Sequence, residues 1–96
     1  MADGDVELLE QMRRRRSDWG EDDLDRLYRS FGFREITRAR APHRVYVHPG
    51  FPDLRATVGR QRSLAKGYAT TAVHLIDSLR ARQAQQERRS EQGNPI

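Results

Sequence analysis

The chain has 96 residues, 35% of them hydrophobic and 33% charged, which supports one small domain with a thin core. It has no cysteine, which rules out a disulfide framework or a thiolate metal site and makes a reducing cytoplasm the simplest compartment. The net charge is +4, the longest apolar runs are too short to cross a bilayer, and residues 1–10 are acidic where a signal peptide is basic and then apolar, so a soluble, non-secreted protein with no membrane partner is expected.

Residues 5–16, DVELLEQMRRRR, place Val6, Leu9 and Met12 at helical spacing, with Leu8 and Met12 as a second i,i+4 pair and the acids ahead of the arginines. This pattern predicts a short helix whose charges complement its dipole. Arg13 to Arg16 would point in four directions around it and read as a solvated helix end. In SDWGEDDLDRLYRSFGF, Leu24, Leu27, Tyr28 and Phe31 follow an i, i+3, i+4, i+7 stripe, with Glu21, Asp22 and Asp23 in the first turn. An amphipathic helix follows, capped by Asp18 or Gly20 and ended by Gly32 in a left-handed conformation that folds Phe33 back onto the last turn. Trp19 reads as a packing anchor.

From Phe33 the period changes to two. Residues 33–38 make a ragged first strand and residues 44–48 a cleaner second one, with Val45 and Val47 facing the core and Arg44, Tyr46 and His48 on the open face. ARAP connects them. Pro49, Gly50 and Pro52 mark a turn before Leu54, Ala56 and Val58, a third strand that ends at Gly59. Beyond the basic loop GRQRSLAK, a stripe of Ala69, Ala72, Val73, Ile76 and Leu79 predicts a helix over residues 67–82, and residues 83–96 read as a frayed helix passing into a flexible tail. The order α-α-β-β-β-α implies a single two-layer α+β domain over residues 1–82, in which helices pack on one face of a three-stranded antiparallel sheet and the first helix is an N-terminal extension.

The charge is concentrated in the middle of the chain. Residues 1–33 carry six basic and nine acidic groups, residues 34–66 eight and two, and residues 67–96 four and three. Such a block serves either as a solubilising surface or as a footprint for a polyanion, most often nucleic acid. There is no P-loop, dinucleotide-binding turn or Gly-x-Ser-x-Gly motif. His43 and His48 are five positions apart and point to opposite faces of a strand, so a metal pair is not expected. His74 reads as a surface residue beside a helix stripe. His43 differs in its surroundings, because it stands where a loop enters a strand, with Arg38, Arg40 and Arg44 close in sequence and Arg60, Arg62 and Lys66 in the later loop. One imidazole among cations suits RNA cleavage. Imidazole moves protons near neutral pH, arginines hold phosphate, and RNA supplies its own 2′-OH nucleophile.

The stretches LLEQMRRRRSDWGEDDLDRLYRSFGF, APHRVYVHPG and LRATVGRQRSLAKGYATTAVHLIDSL together resemble, in order and spacing, the HicA family of bacterial toxins over roughly residues 7–82. The most specific elements are the helix ending in Gly32-Phe33, the histidine five residues before His48-Pro49, and the helix ending LIDSL. The resemblance implies a double-stranded-RNA-binding-domain-like fold, a metal-independent messenger-RNA endonuclease in the bacterial cytoplasm with His43 as its one catalytic histidine, no cofactor, and a HicB-like antitoxin as partner. Arg38, Arg40, Arg44, Arg60, Arg62 and Lys66 are the candidate RNA contacts. Ala41-Pro42 stands where the family has Gly-Ser or Gly-Thr, which removes a hydroxyl and a backbone N–H. GRQRSLAK keeps the charge of the family's proline-rich basic segment and is expected to be less rigid. The alternative is a domain that binds RNA or an antitoxin without cutting.

Overall fold

A computed structural model describes residues 4–92, with side-chain surroundings as far as residue 89. Six elements follow the expected order: α1 (Val6–Arg14), α2 (Glu21–Ser30), β1 (Arg34–Glu35), β2 (His43–His48), β3 (Phe51–Gly59) and α3 (Lys66–Gln92). The strands form one antiparallel sheet in the order β1-β2-β3. One layer of helices covers one face of it, so the domain is a two-layer α+β structure. The core joins Leu8, Leu9 and Met12 of α1, Leu24, Leu27 and Tyr28 of α2, Tyr46 of β2, Leu54, Ala56 and Val58 of β3, and the α3 stripe from Ala69 to Leu79. Val6 is exposed, and Leu8 takes its place in the α1 stripe.

Local chemistry sets the helix limits. The Asp5 carboxylate accepts the Leu8 N–H at 3.0 Å and starts α1. At α2 the Gly20 N–H donates to the Asp23 carboxylate at 2.9 Å. Gly32 has φ +92°, and the Phe33 N–H reaches back to the Tyr28 carbonyl at 3.0 Å. This closes α2 with the left-handed glycine turn read from the sequence and sets the Phe33 ring at a tilt against Tyr28, ring centroids 5.0 Å apart. Trp19 is a packing anchor: it is buried, donates to the Arg15 carbonyl at 2.7 Å, and lies under the Arg15 guanidinium at 4.3 Å.

Three expectations are corrected. The first strand shrinks to two residues: the Ile36 N–H still reaches the Val45 carbonyl at 2.8 Å, but the Val45 N–H is taken by the Thr37 hydroxyl at 3.0 Å rather than by a backbone carbonyl. In β2 the faces are reversed: Tyr46 is fully buried, whereas Val45 and Val47 are half-buried on the other face. A Val-Tyr-Val run gives no period-two contrast. The larger ring takes the core side, stacked at 5.2 Å on Tyr28 with its hydroxyl on Asp25 at 2.6 Å. The third change is at α3, which continues unbroken past residue 82 to Gln92, its outer turns exposed; the flexible tail expected beyond residue 92 lies outside the described residues.

The basic loop after β3 is not slack. Its Gln61 carbonyl accepts the Glu21 N–H at 2.9 Å and its Leu64 N–H donates to the Trp19 carbonyl at 2.7 Å. Two backbone bonds therefore dock it onto the start of α2, satisfying a helix-end donor that would otherwise lack a partner. Leu64 adds a buried anchor. Gly20 permits the approach, since a Cβ there would collide with the Arg62 carbonyl oxygen. Gly20→Ala is accordingly expected to destabilise the domain by about 1–3 kcal/mol, through forced separation of loop and helix. Urea titration checks this; a midpoint equal to wild type would show that the loop docks without help from the glycine.

Candidate nucleic-acid interface

His43 opens β2 and is paired in the ladder with Gly59, which closes β3. The loop before β2 and the loop after β3 therefore meet at one end of the sheet. The first carries Arg38 and Arg40, the second Arg60 and Arg62, and Lys66 begins α3; all five cations and His43 are exposed. The loops touch through Arg60, whose Nε donates to the Ala41 carbonyl at 3.1 Å. That bond fixes the guanidinium two residues from His43. Its terminal NH₂ groups have no protein acceptor among the described residues and are available to an anion.

Among the described residues, none of Arg38, Arg40, Arg60, Arg62 and Lys66 makes an ion pair, and neither do Arg14, Arg16, Arg34, Arg55 and Arg80 elsewhere, whereas Arg13, Arg15, Arg26, Arg29, Arg44 and Arg82 all do. The only two acids of the middle third are held elsewhere, Glu35 by Arg29 and Arg44 and Asp53 by Arg82. Arg62 shares a cleft with Glu21, Asp22 and Asp23, so its field is partly offset. Arg60 is the cation tied to the loop that leads into His43, while Arg38 and Arg40 precede His43 in that loop and Lys66 follows the second one.

Arg44 does not belong to this cluster. Its side chain is 14% exposed and faces α2, where it contacts Glu35 (3.0 and 2.9 Å), Glu21 (3.1 Å) and Asp25 (2.9 Å). The register of β2 that buries Tyr46 also carries Arg44 to the helical side, where these carboxylates neutralise it. Its assignment as an RNA contact is therefore replaced by a structural one.

Arg40 has φ +64°, within a turn closed by the Ala41 N–H on the Arg38 carbonyl at 3.1 Å. A side-chain-bearing residue held in this left-handed region costs on the order of 1 kcal/mol. Arg40→Gly is expected to raise stability by about 0.5–1 kcal/mol while weakening RNA binding and lowering its salt slope by about one unit. Paired melting and salt-titrated binding measurements check both halves, and a variant that binds RNA as wild type does would remove Arg40 from the interface.

His48 has a different role. Its Nδ1 accepts the Gly50 N–H at 3.0 Å, its Nε2 faces Gly32 at the end of α2, and it packs between Phe33 and Phe51 at 5.3 and 5.6 Å. Partial burial lowers its pKa from the ordinary value of 6.5. The clamp between the β2–β3 turn and the end of α2 therefore needs the neutral ring, and its stabilisation, complete above about pH 6.5, declines as pH falls below that value. His74 is exposed on α3. Among the described residues, no group of three or more His, Cys, Asp or Glu side chains converges as metal ligands would.

Tyr68 also belongs to this end of the sheet. Its hydroxyl lies 3.3 Å from where a Cβ on Gly59 would stand, beside His43 across the ladder. In sequence it sits next to Ala69 of the α3 stripe and carries no mark that separates it from core. No family model, no curated protein and no solved structure matches the chain.

Proposed function

We propose that this domain is an RNA-cleaving toxin of the HicA kind, acting in the bacterial cytoplasm with His43 as its proton-transfer group. The observation that carries the reading is the exposed His43 at the junction of two cationic loops whose charges have no carboxylate partners among the described residues. In the proposed step, His43 takes the proton of a ribose 2′-OH and the 2′ oxygen attacks the adjacent phosphorus. The P–O5′ bond breaks, the 5′ oxygen takes a proton from solvent, and a 2′,3′-cyclic phosphate remains. Arg60, with Arg38, Arg40 and Lys66 on the adjoining segments, offsets the charge that builds on the phosphoryl oxygens. The residue before His43 is a proline and offers no N–H, so the anion is held by side chains rather than by a backbone donor at that position.

The test is incubation with RNA in the presence of EDTA, wild type beside His43→Ala. Fragments ending in cyclic phosphate that vanish in the variant support the enzyme. RNA that is shifted but intact, with affinity falling steeply with salt, supports a binding module and overturns the catalytic assignment. A HicB-like antitoxin is the proposed protein partner. Such a partner should suppress cleavage when co-purified with this chain, and lack of any stable complex would remove it.

A further inference from the structure

We propose that Tyr68 is a second substrate-contacting group of the same site, donating a hydrogen bond from its phenol to a non-bridging oxygen of the phosphodiester that His43 addresses. The inference rests on the RNA-cleaving reading above.

The argument begins with the ladder. His43 and Gly59 are direct partners, and paired positions of an antiparallel sheet hold their Cβ atoms about 5 Å apart on the same face. The phenol oxygen of Tyr68 is 3.3 Å, and its ring Cζ 3.6 Å, from the Cβ position of Gly59. The phenol oxygen therefore lies against the residue directly across the ladder from His43. Glycine at 59 is what permits this closeness. A side chain there would press on the phenol and on Leu64 Cδ2, also at 3.3 Å.

The phenol is placed by a fixed frame. Tyr68 stands in the first turn of α3, its N–H on the Ala65 carbonyl at 3.1 Å, directly after the loop that Leu64 pins to Trp19. Its ring is half-buried, and among the described residues its hydroxyl has no hydrogen-bond partner. The phenol of Tyr46, in contrast, is committed to Asp25. A donor that is anchored, partly desolvated and unoccupied beside the proposed base is suited to the charge that develops in the pentacoordinate transition state. Along the same ring runs a groove of about 390 Å³ lined by Arg55, Thr57, Ala65 and Thr71, which gives the flanking nucleoside a path past the tyrosine.

Tyr68→Phe tests the hydroxyl alone, because ring and packing remain. Wild type, Tyr68→Phe and His43→Ala are compared for single-turnover cleavage of a labelled mixed-sequence RNA, for binding of its 2′-O-methylated copy, and for thermal midpoint. The expected result is cleavage slowed roughly 100- to 1,000-fold in Tyr68→Phe, with binding within about twofold and the midpoint unchanged. Cleavage at the wild-type rate in Tyr68→Phe, with His43→Ala inactive, overturns the role of Tyr68 and leaves the nuclease reading standing. Losses of binding and midpoint in proportion to rate make Tyr68 structural and overturn its catalytic role. Wild type that leaves RNA intact overturns the nuclease reading itself, and the tyrosine's role with it.

Discussion

Arg44→Ala is expected to cost the domain about 2–4 kcal/mol, the largest effect on stability of any single change among its charged residues. The guanidinium is 14% exposed and contacts Glu21, Asp25 and Glu35, which are themselves between 20% and 27% exposed. Arg29 reaches Asp25 and Glu35, and the Tyr46 hydroxyl donates to Asp25, but neither reaches Glu21. Removing Arg44 therefore leaves Glu21 without a cation and Asp25 and Glu35 to share the exposed Arg29, and unpaired charges of this kind are far more costly than the surface pairs elsewhere on the molecule. For a domain of this size the loss corresponds to a fall in thermal midpoint of about 15 °C. The hydrogen bonds of Arg44, with help from Thr37, pull the Glu35 carboxyl down to about 2 from an ordinary 4.5. Because the folded-state pKa is the lower one, this contribution is complete above about pH 4.5 and disappears as pH falls towards about 2. The gap between wild type and Arg44→Ala should thus be widest near neutrality and shrink through that acid window. A gap that stays constant with pH would mean that Arg44 acts by packing alone.

The same residue shows where sequence was sufficient and where it was not. The α2 and α3 stripes, the Gly32 turn and the order of elements follow from local rules that need no knowledge of neighbours, and these are present in the fold, whereas Val6 of the α1 stripe is exposed and the strand expected from Phe33 is confined to Arg34 and Glu35. The facing of β2 is not local. Val45, Tyr46 and Val47 are apolar on both faces, so the choice depends on what α2 presents, namely the Tyr28 ring and the carboxylates of Glu21 and Asp25. Once Tyr46 is inside, Arg44 must follow, and a cation that looked free in the charge count becomes part of the helix–sheet junction. Rigidity of GRQRSLAK was hidden for a similar reason, since it comes from backbone bonds to Trp19 and Glu21 far away in sequence rather than from prolines. His43, Arg38, Arg40, Arg60 and Lys66 were legible as candidates because exposed polar loops retain the side chains the sequence lists. Tyr68 was not, because its nearness to Gly59, the ladder partner of His43, is set by tertiary packing and leaves no mark in the sequence.

His43→Ala is expected to reduce RNA cleavage by roughly 10²- to 10⁴-fold, the range that positioned proton transfer contributes to such reactions. The fold should be untouched: the side chain is exposed, makes no hydrogen bond or ion pair among the described residues, and stands at the first position of its strand. The cations remain, so affinity for uncut RNA and its dependence on salt should match wild type, and the loss should fall on the chemical step. His43→Gln sharpens the comparison, since it keeps a polar group of similar reach but cannot shuttle a proton near neutral pH, and it should be as slow as the alanine variant. If His43→Ala cuts RNA at the wild-type rate, proton transfer resides elsewhere or the activity belongs to a contaminant, and the cationic end of the sheet is then a surface for holding RNA.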